Sequence, residues 1–181
     1  MKKEAFMSKK ESAAKRAAVI GYIAASILIF AVVLIIPQSR EVFKSLSGSH
    51  PYLMGFAKFA LLATAGELIA AYIANSAPTV PVKIAARFVI WGFIGVWITF
   101  MMKVFSVAAA QMMASGLLPG GDSSFLRALY TSVMMNTSFG PTFMAFHKCS
   151  DKWLELRSKK ADSSLKSVIG SIDWSAFVGF T

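Results

Sequence analysis

Three polar side chains, Glu67, Arg87 and Asn136, stand inside long apolar runs of the sequence. An ionised carboxylate in the middle of a bilayer is costly unless it is paired, hydrated or protonated. Residues of these types in such places pair with one another or mark the path of an ion or solute. They are therefore the first candidates for chemistry in this chain.

Glu67 shares a helical face with residues that are otherwise small, namely Ala60, Ala63, Thr64, Ala70, Ala71 and Ala74. Such a face lets another helix approach closely or lines a narrow cavity, so we expect Glu67 to point into a helix bundle. Two interpretations stay open. Either Glu67 only locks helices together through a buried pair, or it takes part in function.

Arg87 is the expected partner of Glu67. Both residues lie near the same end of their apolar runs, and at about 1.5 Å per residue they differ in depth by roughly 6 Å. An arginine side chain bridges that distance. Lys58 falls on the opposite side of the helix that carries Glu67, so we expect it to reach the headgroups instead.

Asn136 shares a face with Ser132 and Gly140, and Pro141 follows directly. Proline removes a backbone hydrogen bond and frees a carbonyl. Membrane proteins place ligand or water sites where a polar side chain adjoins such a broken helix. The alternative is that Asn136 only bonds a neighbouring helix, a contact worth about 0.6 kcal/mol. The expected pore-lining or buried polar cluster therefore comprises Glu67, Arg87, Asn136 and Pro141.

Other chemistry is not indicated. His50 and His147 fall at the edges of apolar runs, and no H-E-x-x-H or glycine-rich phosphate loop is present. The single cysteine, Cys149, excludes an internal disulfide and a cysteine-cluster zinc site. We expect no catalytic residue, no metal site, no cofactor and no enzymatic activity.

The composition points to a bilayer. Hydrophobic residues make up 56% of the 181 residues and charged residues only 15%, whereas soluble domains average about 25% charged residues. An ordinary soluble enzyme and a disordered chain are both disfavoured by this balance. The expected fold is all-α, a polytopic bundle with four complete transmembrane spans and the start of a fifth.

The expected domains follow from the apolar runs. They are a basic cytoplasmic N-terminus (1–16), a transmembrane bundle (17–146), a cytoplasmic amphipathic loop (147–173) and the start of a further span (174–181). The spans are predicted at about 17–37, 54–74, 84–102 and 125–146. Because eight residues cannot cross a membrane, we expect the apolar pattern that begins at Trp174 to continue beyond Thr181.

The net charge of +10 is unevenly placed. With the N-terminus inside, the cytoplasmic side receives the basic residues of 1–16, those of 83–87 and those of 148–166. This asymmetry is the positive-inside rule, and it explains the charge without nucleic acid. A bacterial inner membrane is the expected location. The expected partners are the bilayer and anionic lipid at its cytoplasmic face, and a homo-oligomer stays open.

Four glycines are candidates for helix packing: Gly66, Gly92, Gly95 and Gly140. Gly92 and Gly95 belong to a smooth stripe with Ala85, Phe88 and Thr99, which could receive the small face around Glu67.

Short motifs resemble the twenty-two-kilodalton peroxisomal membrane protein family (Mpv-seventeen-like). Residues 50–53 (HPYL) and 65–70 (AGELIA) resemble the P-x-L and G-[DE]-x-x-x-Q of its first shared helix, with Glu67 at the acidic position. Residues 135–141 (MNTSFGP) resemble its D-Q-x-x-F-x-P stretch. Arg87, with the glycines after it, resembles the opening of its next span.

The resemblance covers about residues 51–148, and the run 17–37 would be an additional span. The family's G-P-x-x-H-x-W-Y run is almost absent after Gly95. The resemblance implies a small α-helical bundle of the bacterial type, and members are proposed to be weakly selective channels. The leading hypothesis is thus a small pore or transporter-like channel for small polar solutes. The alternative is a structural or regulatory membrane protein whose polar cluster serves packing.

The orientation is directly testable. Reporter fusions at Ser47 and Ser158 should be active outside and inside the cell, respectively, because the basic residues cluster on the side of Ser158. A periplasmic reporter that is active at Ser158 would refute this orientation.

Overall fold

The computed structural model describes residues 2–75 and 83–175, and every regular element in them is helical. In chain order these elements are α1 (Lys2–Ile35), α2 (Pro37–Ser49), α3 (Pro51–Asn75), α4 (Ile84–Ala114), α5 (Ser124–Met134), a π-helical turn (Met135–Phe139), α6 (Gly140–Ser158) and α7 (Leu165–Gly170). The all-α class is confirmed. The chain forms two compact units, Met1–Gly95 and Val96–Thr181, which divide inside α4. The expected further span falls mainly on residues 176–181, outside the described residues.

Three helices are long and apolar enough to cross a membrane: Arg16–Ile35 within α1, all of α3 and all of α4. Few residues of these apolar windows are buried within the protein, from 11% of the residues in the α1 window to 28% in α3. Large apolar side chains such as Ile35 and Ile73 stay exposed. A membrane supplies the apolar environment that these side chains require.

The expected fourth span at 125–146 does not form one long apolar helix. Its residues are divided among α5, the π-helical turn and the beginning of α6. The 11 residues of α5 are too few to cross a bilayer. The 19-residue α6 carries charged residues through its second half. Four complete spans are therefore not supported, and the interruption lies next to Pro141, which has no N–H to donate.

Helix α4 is longer than its expected span of 84–102. Its 31 residues extend about 46 Å, which exceeds a hydrocarbon core of about 30 Å. The segment after Lys103 is continuous with α4 up to Ala114. With no glycine or proline between Lys103 and Ala114, nothing in the sequence interrupts the hydrogen-bond ladder there.

The segment between the first two apolar helices is itself a helix, α2. Pro37 causes the break before it, because a residue that precedes proline avoids the helical region. Ile36 is accordingly extended, and Pro37 takes the first helical position of α2. Along α2, Glu41 and Lys44 pair at 3.1 Å on an exposed face.

Helices α1 and α3 are joined by a hydrogen bond that sequence reasoning did not anticipate. The Tyr22 hydroxyl donates to the carbonyl of Leu61 at 3.0 Å. Nearby, Val19 and Ser26 of α1 and Ala60 and Thr64 of α3 are buried. A tyrosine that buries its ring needs a partner for its hydroxyl, and the backbone of α3 provides one.

The close approach of α3 and α4 depends on two glycines. A Cβ at Gly92 would collide with the Phe56 ring, and a Cβ at Gly95 would collide with the Gly55 carbonyl and with Phe59. These contacts match the packing role expected for Gly92 and Gly95. The surface they meet is formed by Gly55 and two phenylalanines, however, and not by the alanine face around Glu67.

Gly66 and Gly140 are placed differently. Gly66 is exposed, and a Cβ there would meet no atom of the described chain within 4 Å. A Cβ at Gly140 would meet only the Met135 carbonyl, at 3.7 Å, in the preceding turn. Neither glycine therefore permits a close contact with another helix in the described residues.

In the second unit, a turn that contains two glycines precedes α5. Gly120 and Gly121 both have positive φ angles, 123° and 53°, which glycine adopts without strain. Ser123 caps the start of α5. Its side chain accepts a hydrogen bond from the Leu126 amide at 3.3 Å.

Aromatic side chains pack the interrupted helix against the part of α4 that belongs to the second unit. The Trp97 ring meets Phe139 at 5.1 Å and Phe146 at 5.9 Å between centroids, both edge to face. Phe139 is buried and lies at the end of the π-helical turn. The irregular turn is thus held by specific packing.

Within the expected loop 147–173, Leu165–Gly170 form the short helix α7. Val168 of α7 and Leu154 of α6 are buried, whereas Leu165 stays exposed. Towards the end of α6, hydrogen bonds from Lys159 and Lys152 lower the pKa of Glu155. The positive charge that Lys152 and Lys159 bring to the end of α6 is therefore partly neutralised by Glu155.

A pair of alanine substitutions tests the packing of α3 on α4. Gly95→Ala should lower the free energy of unfolding in detergent by about 1–3 kcal/mol, because the added methyl group meets a backbone carbonyl. Gly66→Ala is the matched control and should leave it unchanged or raise it by up to about 1 kcal/mol through helix propensity. Equal stability of the two variants would contradict this packing.

Candidate functional site

The candidate site is a polar cluster between α3 and α4 in the first unit. Glu67 projects from the middle of α3, and its side chain is 15% exposed. On the same helix Thr64, Ala65 and Leu68 are buried. An acidic group in such apolar surroundings requires donors from a neighbouring helix.

Two residues of α4 supply these donors. Arg87 Nη1 lies 3.1 Å from Glu67 Oε1, and Trp91 Nε1 lies 3.0 Å from the same oxygen. The Arg87 side chain is also 15% exposed. The pairing of Glu67 with Arg87, expected from their depths, is therefore present in the structure.

Trp91 was missed by the sequence analysis, although a signal for it existed. It lies four residues after Arg87, so the two side chains share one face of α4. An indole N–H is a donor only, and when buried it needs an acceptor. The Glu67 carboxylate, which pairs with Arg87 on this face, is also an acceptor for the Trp91 N–H.

The cluster leaves one atom without a partner. Both donors bond Oε1, while Oε2 of Glu67 is buried and has no hydrogen-bond partner among residues 2–75 and 83–175. A buried acceptor without a donor costs about 1–3 kcal/mol. The site can therefore gain free energy from any group that brings an O–H or N–H to Oε2.

Lys58 takes no part in this cluster. Its Nζ lies 5.2 Å from the centre of the Phe43 ring of α2. This cation–π contact agrees with its placement on the side of α3 opposite Glu67.

Asn136 and Pro141 belong to the interrupted helix of the second unit. The π-helical turn is closed by a bond from the Gly140 amide to the Met135 carbonyl, five residues back. The Asn136 amide donates to the Ser132 carbonyl at 2.8 Å and to the Ser132 hydroxyl at 3.3 Å. Asn136 itself is exposed. Its contacts are thus with its own helix, as is usual for polar side chains that support an irregular turn.

The hydroxyl groups beside Asn136 behave in the same way. Thr137 donates to the carbonyl of Val133, and Ser138 donates to that of Met134. These local bonds compete with the regular backbone ladder and favour a bend. The structure thus unites Glu67 with Arg87 in one unit, and Asn136 with Pro141 in the other. The expected convergence of all four stays a prediction.

A cavity of about 480 Å³ lies on the first unit between α1, α3 and the start of α4. Its lining is nearly all apolar, with Tyr22 and Thr64 as the polar exceptions. Such a cavity suits a hydrocarbon group better than water. The Glu67–Arg87–Trp91 cluster is therefore a better candidate for polar chemistry than this cavity.

Comparison with known proteins gives no family assignment. No protein-family model, no curated protein and no solved structure matches this chain significantly.

A mutant cycle measures the cluster. Arg87→Met should destabilise the protein by about 3–5 kcal/mol, because it leaves a buried carboxylate unpaired. Trp91→Phe should cost about 1 kcal/mol for one lost hydrogen bond. Glu67→Gln combined with Arg87→Met should cost less than the sum of the single changes. Strictly additive unfolding free energies in detergent would show that Glu67 and Arg87 do not interact.

Proposed function

We propose that this chain is a multi-pass membrane protein that forms a narrow, weakly selective pathway for small polar solutes. The observation that carries the proposal is the Glu67–Arg87–Trp91 cluster between two membrane-spanning helices, in which Oε2 of Glu67 has no donor from the described part of the chain. Ionisable groups inside membranes are costly and mark functional positions by default.

The charges of the cluster favour solutes without a strong net charge. Because Glu67 and Arg87 neutralise each other at 3.1 Å, the site presents a dipole and not a single charge. An uncharged solute that carries hydroxyl or amino groups can donate to Oε2 without separating the pair. A bare ion would have to separate Glu67 from Arg87 before it could bind either side chain.

The proposed topology has the N-terminus in the cytoplasm of a bacterium and the chain in the inner membrane. In this arrangement residues 125–146 cross as a fourth, broken span, with Asn136 and Pro141 at the irregular turn. Irregular backbone at membrane depth is tolerated where protein or a water-filled cavity covers it. The polar side chains of the turn suit such a position.

Membership of the twenty-two-kilodalton peroxisomal membrane protein family is part of the same proposal. Its support is the position of four residues in short motifs, namely Glu67, Arg87, Asn136 and Pro141. No match over the whole chain supports it. The pairing of Glu67 with Arg87 gives a physical reason for an acidic residue and an arginine at these two positions.

A structural role is the second candidate, favoured by a separate observation. Arg87 and Trp91 both bond Glu67, while Gly92 and Gly95 bring α4 against α3 on the following turns. Together these contacts would lock the helix pair. In that case the cluster would serve packing, and the protein would carry no solute.

Solute flux separates the two functions. Purified protein in liposomes should accelerate the equilibration of glycerol, followed by light scattering, and Glu67→Gln should change the rate at least about threefold while the protein stays folded. Glu41→Gln is the matched control, because Glu41 is exposed on α2, where it pairs with Lys44 on the same helix. Its rate should equal that of the wild type.

The structural alternative predicts a different pattern. Wild-type liposomes would then equilibrate glycerol no faster than empty ones, and Glu67→Gln would alter only the melting temperature. That result would overturn the proposed pathway.

A further inference from the structure

A polar groove of about 300 Å³ lies on the second unit between the C-terminal half of α4 and α5. Six of the nine residues that line it carry a hydroxyl, amide or guanidinium group, although apolar atoms make up most of the lining surface. These six are Ser106, Ser124, Arg127, Thr131, Ser132 and Asn136, and the other three are apolar. No acidic residue is among the nine, so the groove combines hydrogen-bond donors with a single positive charge.

Arg127 is the charged group of the groove, and its guanidinium is available. It is exposed, and no ion pair or side-chain hydrogen bond involves it within the described ranges 2–75 and 83–175. An arginine without a carboxylate partner, beside an apolar helix, presents five donors that fit a phosphate or carboxylate.

Two hydroxyl groups of the groove are available as well. Ser106 of α4 and Ser124 of α5 make no side-chain hydrogen bond in the part of the chain that the structure describes. By contrast, Thr131 already donates to the Arg127 carbonyl at 2.7 Å, and Ser132 accepts from Asn136. Of the groove's donors, Arg127, Ser106 and Ser124 are therefore the available ones, and Ser124 begins α5, where the helix dipole is positive.

The groove continues from Arg127 towards Asn136. These residues are nine positions apart, or about 13 Å along a helix. This length admits a compact anion at the Arg127 end with a polar substituent extending towards the π-helical turn. A volume of about 300 Å³ excludes large ligands.

We propose that this groove binds a small phosphate- or carboxylate-bearing anion through Arg127, Ser106 and Ser124. The anion can be a free solute or the headgroup of an anionic lipid, because both present the same chemistry to the guanidinium. The site goes beyond the proposed function: it lies apart from Glu67 in sequence, within the other unit, and its binding requires no transport.

The test uses the full chain with two probes. Inorganic phosphate is titrated into detergent-purified protein, and the melting temperature is followed with potassium chloride of equal ionic strength as the blank. In parallel, the protein is placed in nanodiscs of phosphatidylcholine with or without phosphatidic acid. The variants are Arg127→Gln and Ser106→Leu, which fills the groove. Arg40→Gln is the control, because it removes an equal charge from an exposed position of α2.

For a free anion, phosphate should stabilise the wild type and Arg40→Gln. Its apparent affinity should fall about tenfold or more in Arg127→Gln, as for the loss of a charged hydrogen bond. For a headgroup, only phosphatidic acid should stabilise the protein, and Arg127→Gln should abolish the shift. If Arg127→Gln does not fold, Ser106→Leu decides by the same criteria.

The proposal is overturned if neither probe stabilises the wild type, or if the variants respond to both probes as the wild type does. A loss of glycerol flux in Glu67→Gln has no bearing on these results. Failure of the anion site and failure of the solute pathway are therefore distinguishable.

Discussion

The pairing of one carboxylate inside an apolar helix is the interaction on which the first unit depends. Glu67 cannot reach the headgroups with its short side chain, so α4 must bring donors to it. Arg87 and Trp91 do so from one face of α4, and both bond the same oxygen. Such bonds require α3 and α4 to lie close together, and Gly92 and Gly95 permit this because a side chain at either position would collide with α3.

The second unit is organised around an irregular helix. Its apolar run is interrupted by the π-helical turn beside Pro141, where Asn136 and the neighbouring hydroxyls bond their own helix. The edge-to-face contacts of Trp97 stabilise this irregular segment. Irregular backbone that is held in place by packing is a feature that membrane proteins reserve for polar sites. The polar groove at Arg127 lies beside this segment, which supports a role in binding.

The sequence predicted the structural features that depend on hydrophobic periodicity and on the depth of polar residues. The apolar runs located the three long helices, and the depth of Arg87 identified the partner of Glu67. Residue spacing could not show that α2 is helical, since its tertiary contacts decide that. Apolar content also led to the prediction of a complete fourth span, because it does not reveal a break in the backbone hydrogen bonds of a helix. A packing role was expected for Gly66 because it is small, but a small residue shows only that close packing is possible.

The pairing of Glu67 with Arg87 is the contact on which this arrangement of α3 and α4 depends. Solid-state NMR on protein in lipid bilayers, labelled with ¹³C in the Glu67 carboxyl and ¹⁵N in the Arg87 guanidinium, measures this contact. The structure predicts strong dipolar dephasing at a carbon–nitrogen distance of about 4 Å. A Glu67 carboxyl signal with no dephasing from Arg87 would contradict the pairing.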